Sequence, residues 1–135
     1  MTSARTLEVL TWRYSGRVII SDSFVVADWT DAGTHPGRPI AGLHVHRSDD
    51  EAWIVLEGRL GFQVGDEQRE VAAGESLLVT RGTPHSYWNP TSEPTHYLLV
   101  MTPRIHQLIQ ALHAGDRKDF ARIFQEYDSE LLESG

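Results

Sequence analysis

The stretch Gly42-Leu43-His44-Val45-His46-Arg47-Ser48-Asp49-Asp50-Glu51-Ala52-Trp53-Ile54-Val55-Leu56-Glu57-Gly58 holds two short β-type runs joined by a polar connection. His44 and His46 are two residues apart, so a strand over 43–46 turns both imidazoles to one face. Glu51 heads the next strand, and alternation from it places Trp53 and Val55 on the side of its carboxylate. Asp49 and Asp50 could compete with it, but strand parity favours Glu51 and leaves the two aspartates as exposed loop residues. His85 comes much later, just after the turn Arg81-Gly82-Thr83-Pro84. Imidazole nitrogen and carboxylate oxygen are donors that suit a borderline divalent metal. An antiparallel barrel can gather such distant strands around one interior point.

Outward from this stretch, residues 7 to 101 read as a succession of short strands. Runs at 18–20, 23–29, 43–46, 52–56, 60–64, 69–71, 76–80 and 97–101 are rich in β-branched, aromatic or aliphatic residues. Asp22, Gly33, Pro36-Gly37, Glu57-Gly58, Gly65-Asp66, Ala73-Gly74 and Asn89-Pro90 separate them. Regular short strands without intervening helical periods predict an all-β sandwich or barrel. The connection over 30–42, with Gly33, Pro36, Gly37 and Pro39, reads as too irregular for a strand.

The pattern changes at Thr102-Pro103, where threonine can cap a helix and proline suits its first position. Ile105, Leu108, Ile109 and Leu112 recur at helical spacing, and Gly115 supplies a stop. A second helix is expected from Asp116, with Phe120, Ile123, Phe124, Tyr127 and Leu131 as its apolar stripe. The expected organisation is a β-barrel over 1–102 and a helical extension over 103–135. Amphipathic stripes usually serve packing, so the extension is read as lying on the outside of the barrel; a lid or a dimer contact is the alternative.

Composition narrows the classes of function. At 135 residues and 15.2 kDa the chain suits one domain with a real core. No apolar run approaches the length of a membrane span, and the first residues lack the apolar stretch of a secretory signal. The 19 acidic residues outweigh 12 basic ones, for a formal charge of −7, and Lys118 is the only lysine among scattered arginines. That field repels phosphate backbones and anionic lipid, so neither nucleic acid nor membrane is expected as a partner. Cysteine is absent, which excludes disulfides, thiolate metal sites and cysteine nucleophiles, and a cytoplasmic setting is expected. There is no Gly-x-Ser-x-Gly elbow and no glycine-rich phosphate loop before a helix.

Taken together, the spaced residues resemble the two motifs of the cupin family. The first motif has His-x-His, four residues, Glu, six residues and Gly, matched by His44, His46, Glu51 and Gly58. The second is matched at the family spacing by Gly74, Gly82, His85 and Asn89. Two positions depart: Arg38 stands where a glycine is expected, with Gly37 one step earlier, and Thr80 stands where a proline is expected. Both are positions of backbone shape rather than ligands. The run Asp50-Glu51-Ala52-Trp53-Ile54-Val55-Leu56-Glu57-Gly58 and the tail Met101-Thr102-Pro103-Arg104 are similar to small single-domain cupins of the quercetinase-like group.

The resemblance implies a jelly-roll barrel that holds one divalent metal ion on His44, His46, Glu51 and His85. In this family the ion is iron, manganese, nickel, cobalt, copper or zinc. It further implies a metal-dependent enzyme, dioxygenase-like, acting on a small enolisable or aromatic molecule, with Glu51 as general base and Tyr87 orienting the substrate. A non-oxidative cyclase or isomerase and a non-catalytic small-molecule binder are the alternatives. Cupin barrels commonly pair through edge strands, so a homodimer is expected. Alternation places Tyr87 and Asn89 inside with Trp88 outside, and Gly42 on the ligand face, leaving room there. Phe24, Val26, Trp53, Phe62 and Tyr87 are the candidate walls of an apolar pocket, unless they simply fill the barrel. His35 and His96 read as surface histidines that could alternatively approach the metal. His106 and His113 lie on the expected tail helices and carry no assigned role.

Overall fold

The computed structural model describes residues 16–133, and in it two five-stranded antiparallel sheets face each other. The strands are β1 (Val18–Ile20), β2 (Val25–Asp31), β3 (Pro39–His46), β4 (Glu51–Glu57) and β5 (Arg59–Val64). They continue with β6 (Glu67–Ala72), β7 (Ser76–Val79), β8 (His85–Trp88), β9 (Thr95–Met101) and β10 (Ser129–Leu131). One sheet runs β1-β2-β9-β4-β7 and the other β10-β3-β8-β5-β6. This is the all-β jelly roll expected from the sequence, with helices after the barrel strands. No helix among the described residues is long and apolar enough to cross a membrane.

Alternation decides what fills the space between the sheets. In β4, Trp53 and Val55 are buried on the side of Glu51, while Ala52 and Ile54 are half-buried on the other side. Tyr87 from β8, Leu60 and Phe62 from β5, and Tyr97, Leu99 and Met101 from β9 join the same core. Trp53 meets Phe62 and Tyr87 edge-on at 5.0 and 5.3 Å, and Phe62 stacks on Tyr87 at 5.6 Å. The turn from β4 to β5 depends on Gly58, whose φ of +80° is left-handed. A Cβ there would also meet the Thr95 hydroxyl at 2.5 Å and the Pro94 carbonyl oxygen at 2.8 Å.

The connection over 30–42 is shorter than its glycines and prolines suggest. Thr30 and Asp31 extend β2 by pairing with His96 and Thr95, and Pro39 opens β3 opposite Trp88. Proline is tolerated there because it is the first residue of its strand. Register shifts between Pro39 and His44 mark where β3 bends before it delivers its histidines.

Beyond the barrel, Thr102 caps α1 (Pro103–Ala114), its hydroxyl accepting from the Ile105 amide at 3.2 Å, with Pro103 in the first turn. Ile105 reaches the barrel core, and Leu108 packs with Ile123 and Phe124. The second helix differs from expectation. A 3₁₀ turn at Arg117–Asp119 precedes a short α2 (Phe120–Glu126), which stops before Asp128 adopts a left-handed φ of 54°. Leu131 therefore does not continue a helical stripe. The chain reverses, and β10 pairs with the outer edge of β3. Its backbone satisfies donors and acceptors that would otherwise lie open along a strand edge.

Candidate metal centre

Two strands of one sheet and one strand of the other bring the four predicted ligands together. His44 and His85 are direct cross-strand partners on β3 and β8, His46 lies two residues on, and Glu51 opens β4 in the facing sheet. One donor atom from each lies within 4.8 Å of all the others, and all four residues are buried. The turn bearing His85 is tied down from both sides. The Gly82 amide donates to the His46 carbonyl oxygen at 2.7 Å, and Asp50 accepts from the Arg81 amide at 2.8 Å and from its guanidinium at 3.2 Å. Asp50 is thereby committed to Arg81. Asp49, expected on the surface, is buried and faces Arg104 at 3.4 Å. Neither aspartate belongs to the cluster, as strand parity indicated.

Each imidazole uses Nδ1 away from the cluster. His44 Nδ1 lies 2.6 Å from the Gly42 carbonyl oxygen and His85 Nδ1 lies 2.9 Å from that of Thr83. A carbonyl can only accept, so both rings carry hydrogen on Nδ1 and turn Nε2 inward. His46 Nδ1 is 2.7 Å from the Ser129 hydroxyl. On the inner side, Nε2 of His85 and of His46 face Glu51 Oε1 at 3.1 and 3.3 Å. Ligand atoms on one ion at about 2.1 Å are roughly 3.0–3.4 Å from their neighbours; the two Glu51 separations lie in that range, and the whole donor set spans up to 4.8 Å. Three neutral imidazoles and a carboxylate are also the donor chemistry a borderline divalent ion takes.

Electrostatics keep His44 neutral and Glu51 ionised. Burial, then the charges of His85 and His46, drive the His44 imidazole from 6.5 down to about 3. Burial acts to raise the Glu51 carboxyl, but hydrogen bonds from His46 and His85 and their charge outweigh it and hold it at about 2. Burial pushes the Tyr87 and Tyr97 phenols above their ordinary value of 10, and their hydroxyls lie 3.1 Å apart. Both tyrosines stay protonated at neutral pH.

Of the candidate pocket residues, the fold brings three to the centre and leaves two out. Trp53 lies edge-on to His85 at 5.6 Å, and Phe62 and Tyr87 back it, so these three form an aromatic floor under the ligands. Phe24 and Val26 do not line the interior. Phe24 precedes β2 and is 51% exposed, while pairing with β9 turns Val25 and Ala27 inward and Val26 outward. His96 is not a surface residue: it is buried against the Asp28 carboxylate, on the face of its sheet opposite Tyr97 and Leu99, away from the ligands. His35 is exposed, as expected. Asn89 organises loops, donating to Asp31 and to the Glu93 carbonyl oxygen. The room expected beside Gly42 is filled by the Glu133 carboxylate, 2.8 Å from where a Cβ would stand.

Sequence reading missed the contribution of the tail. Phe124 packs on His44 with ring centroids 5.4 Å apart, and Ser129 meets His46. The apolar character of Phe124 was visible, but nothing in the local pattern links Ser129 to a histidine 83 positions away.

Comparison with known proteins agrees with this geometry. The family model Cupin_2, described as a cupin domain, matches residues 32–101. Quercetin 2,3-dioxygenase of Bacillus subtilis (strain 168) is 38% identical over 45 residues, covering 33% of this chain and 13% of that protein. Mannose-1-phosphate guanylyltransferase 2 of Escherichia coli O157:H7 is 34% identical over 65 residues, covering 48% of this chain and 13% of that protein. The chain thus matches only about an eighth of the length of these curated relatives. Among solved structures, an uncharacterized conserved protein with a double-stranded beta-helix domain from Klebsiella pneumoniae subsp. pneumoniae MGH 78578 is 28% identical. It superposes with a TM-score of 0.53, over 64% of this chain and 73% of that one. With the family model spanning more than half of the 135 residues, and with both its motifs converging on one buried cluster, this chain belongs to the cupin family.

Proposed function

We propose that the chain binds one divalent metal ion through His44, His46, Glu51 and His85 and is a dioxygenase-like oxidoreductase acting on a small enolisable or aromatic molecule. The observation that carries this reading is the buried cluster itself, three imidazoles and a carboxylate within 4.8 Å against the aromatic floor. The likeness to a quercetin 2,3-dioxygenase supports the choice of chemistry.

When bound, the metal supplies Lewis-acid polarisation of a substrate oxygen. Glu51 is a carboxylate at neutral pH and accepts the proton that the substrate's hydroxyl or enolisable carbon gives up. Trp53 and Phe62, fully buried in the core, back the ligand side chains and keep water from that side of the centre. Tyr87, protonated, buried and paired with Tyr97, holds this aromatic backing in place and acts on a substrate's orientation through it.

The experiment is elemental analysis of untagged protein purified without chelator, beside His44→Ala/His85→Ala, followed by oxygen-uptake screening against phenolic and enolisable compounds. Near-stoichiometric metal in the wild type alone, with substrate-dependent oxygen uptake, is the expected result. Turnover that persists under strict anaerobiosis would replace the oxygenase by a non-oxidative isomerase or cyclase. A wild type that also refuses added metal would overturn the whole reading.

A further inference from the structure

The three imidazoles are not held alike. His44 and His85 each rely on a carbonyl two residues away on their own segment. His46 relies on the Ser129 hydroxyl, delivered by β10 from the far end of the chain. Ser129 is fully buried and stands directly opposite His46 in the β10–β3 register. Its hydroxyl also lies 3.1 Å from the Tyr127 carbonyl oxygen. A hydroxyl has one hydrogen, and a carbonyl can only accept it. With that hydrogen given to Tyr127, the Ser129 oxygen is left to accept, and His46 must donate from Nδ1. The chain Tyr127 carbonyl, Ser129 hydroxyl, His46 imidazole therefore fixes the ring with Nδ1–H toward Ser129 and Nε2 toward Glu51 at 3.3 Å.

The same segment covers β3 along its length. The Arg47 amide donates to the Asp128 carbonyl oxygen at 3.0 Å, the Leu132 amide to that of Leu43 at 2.9 Å, and the Leu43 amide to the Glu133 carboxylate at 2.8 Å. Phe124 packs on His44 from the same side.

We propose that Ser129 is a positioning residue for the metal centre, and that metal binding and docking of β10 are thermodynamically linked. The strand holds His46 as an Nε2 donor, and an ion on that donor stabilises the docked strand to the same degree. The inference rests on the metal reading above, but the state of the His46 ring is measurable without metal.

The test compares wild type, Ser129→Ala and Ser129→Thr. Imidazole ¹⁵N NMR of the metal-free proteins reports the His46 tautomer, chelator competition reports zinc affinity, and amide hydrogen exchange compares β10 with the distant strand β6. The expected result is a hydrogen held on Nδ1 of His46 in wild type and Ser129→Thr, and a mixed population in Ser129→Ala. Zinc affinity falls about 10- to 100-fold in Ser129→Ala and returns with Ser129→Thr. Zinc slows exchange of β10 amides in wild type, a measurement that needs no variant, and leaves β6 unaffected. Unchanged tautomer and affinity in Ser129→Ala overturn the proposal, as does weakened affinity with the tautomer intact, which would mark Ser129 as packing only. Zinc binding to wild type with no added β10 protection overturns the linkage. Absence of zinc binding to wild type, with the tautomer still dependent on Ser129, overturns the metal reading and leaves the positioning of the ring standing.

Discussion

His44 and His85 stand directly opposite each other on neighbouring strands, with ring centroids 4.3 Å apart. Two buried imidazoles this close cannot both carry charge at modest cost, and His44 is the one driven to about 3. The unfolded chain binds a proton at that residue below pH 6.5 that the folded chain refuses until about pH 3. The His44 contribution to the stability of the metal-free protein is therefore fully present above pH 6.5 and declines as pH falls through that window, by at most about 1.4 kcal/mol per pH unit. Glu51, held at about 2 against an ordinary 4.5, adds loss in the same direction below pH 4.5. Urea midpoints measured from pH 7.5 to 5 should fall, and His44→Gln should flatten the slope. An equal slope in the variant would remove His44 as the cause.

Metal should stabilise the fold by mass action. At free metal 100-fold above its dissociation constant the gain is about 2.7 kcal/mol, roughly a 10 °C rise in Tm for a domain of this size. Calorimetry with and without chelator checks this, and His44→Ala/His85→Ala should show no shift.

Glu51→Gln separates metal holding from proton transfer. The amide keeps an oxygen donor beside His46 and His85 but cannot act as a base at neutral pH. The variant should retain metal in elemental analysis and lose turnover by about 100-fold or more. Wild-type turnover would remove Glu51 from the base role.

Gly58→Ala should be severe although the residue is exposed and far from any chemistry. The left-handed φ costs about 1–2 kcal/mol for a side chain, and the methyl would press on the backbone of Pro94 and Thr95. A total loss of roughly 2–4 kcal/mol is expected from urea unfolding. A change within 0.5 kcal/mol, on the order of an ordinary surface substitution, would mean the turn relaxes freely.

Of the four candidate ligands, His44 and His46 were legible as a pair because a spacing of two on a strand fixes a common face, while Glu51 and His85 were joined to them by the likeness to the cupin motifs. Trp53 followed from Glu51 by the same parity. Phe24 and Val26 were misplaced because alternation gives the period of a strand and not its phase. The phase of β2 is set by pairing with β9, some seventy positions later in the chain. The tail failed for a related reason. Phe120 to Leu131 carries a helical period, yet the free edge of β3 captures its last residues as a strand, and that edge exists only once the barrel has formed. Ser129 was invisible because a hydroxyl gains meaning only from the ring it meets.

The contact between His46 and Ser129 spans 83 positions, and it bears on how the protein is made. Synthesis runs from the first residue onward, so β3 and β4 leave the ribosome long before β10 exists. During that interval His46 has no Ser129 hydroxyl against its Nδ1. On the proposed role of Ser129, the His46 side of the centre would be completed only when β10 docks, and an ion captured earlier would be held by a looser cage than the finished one.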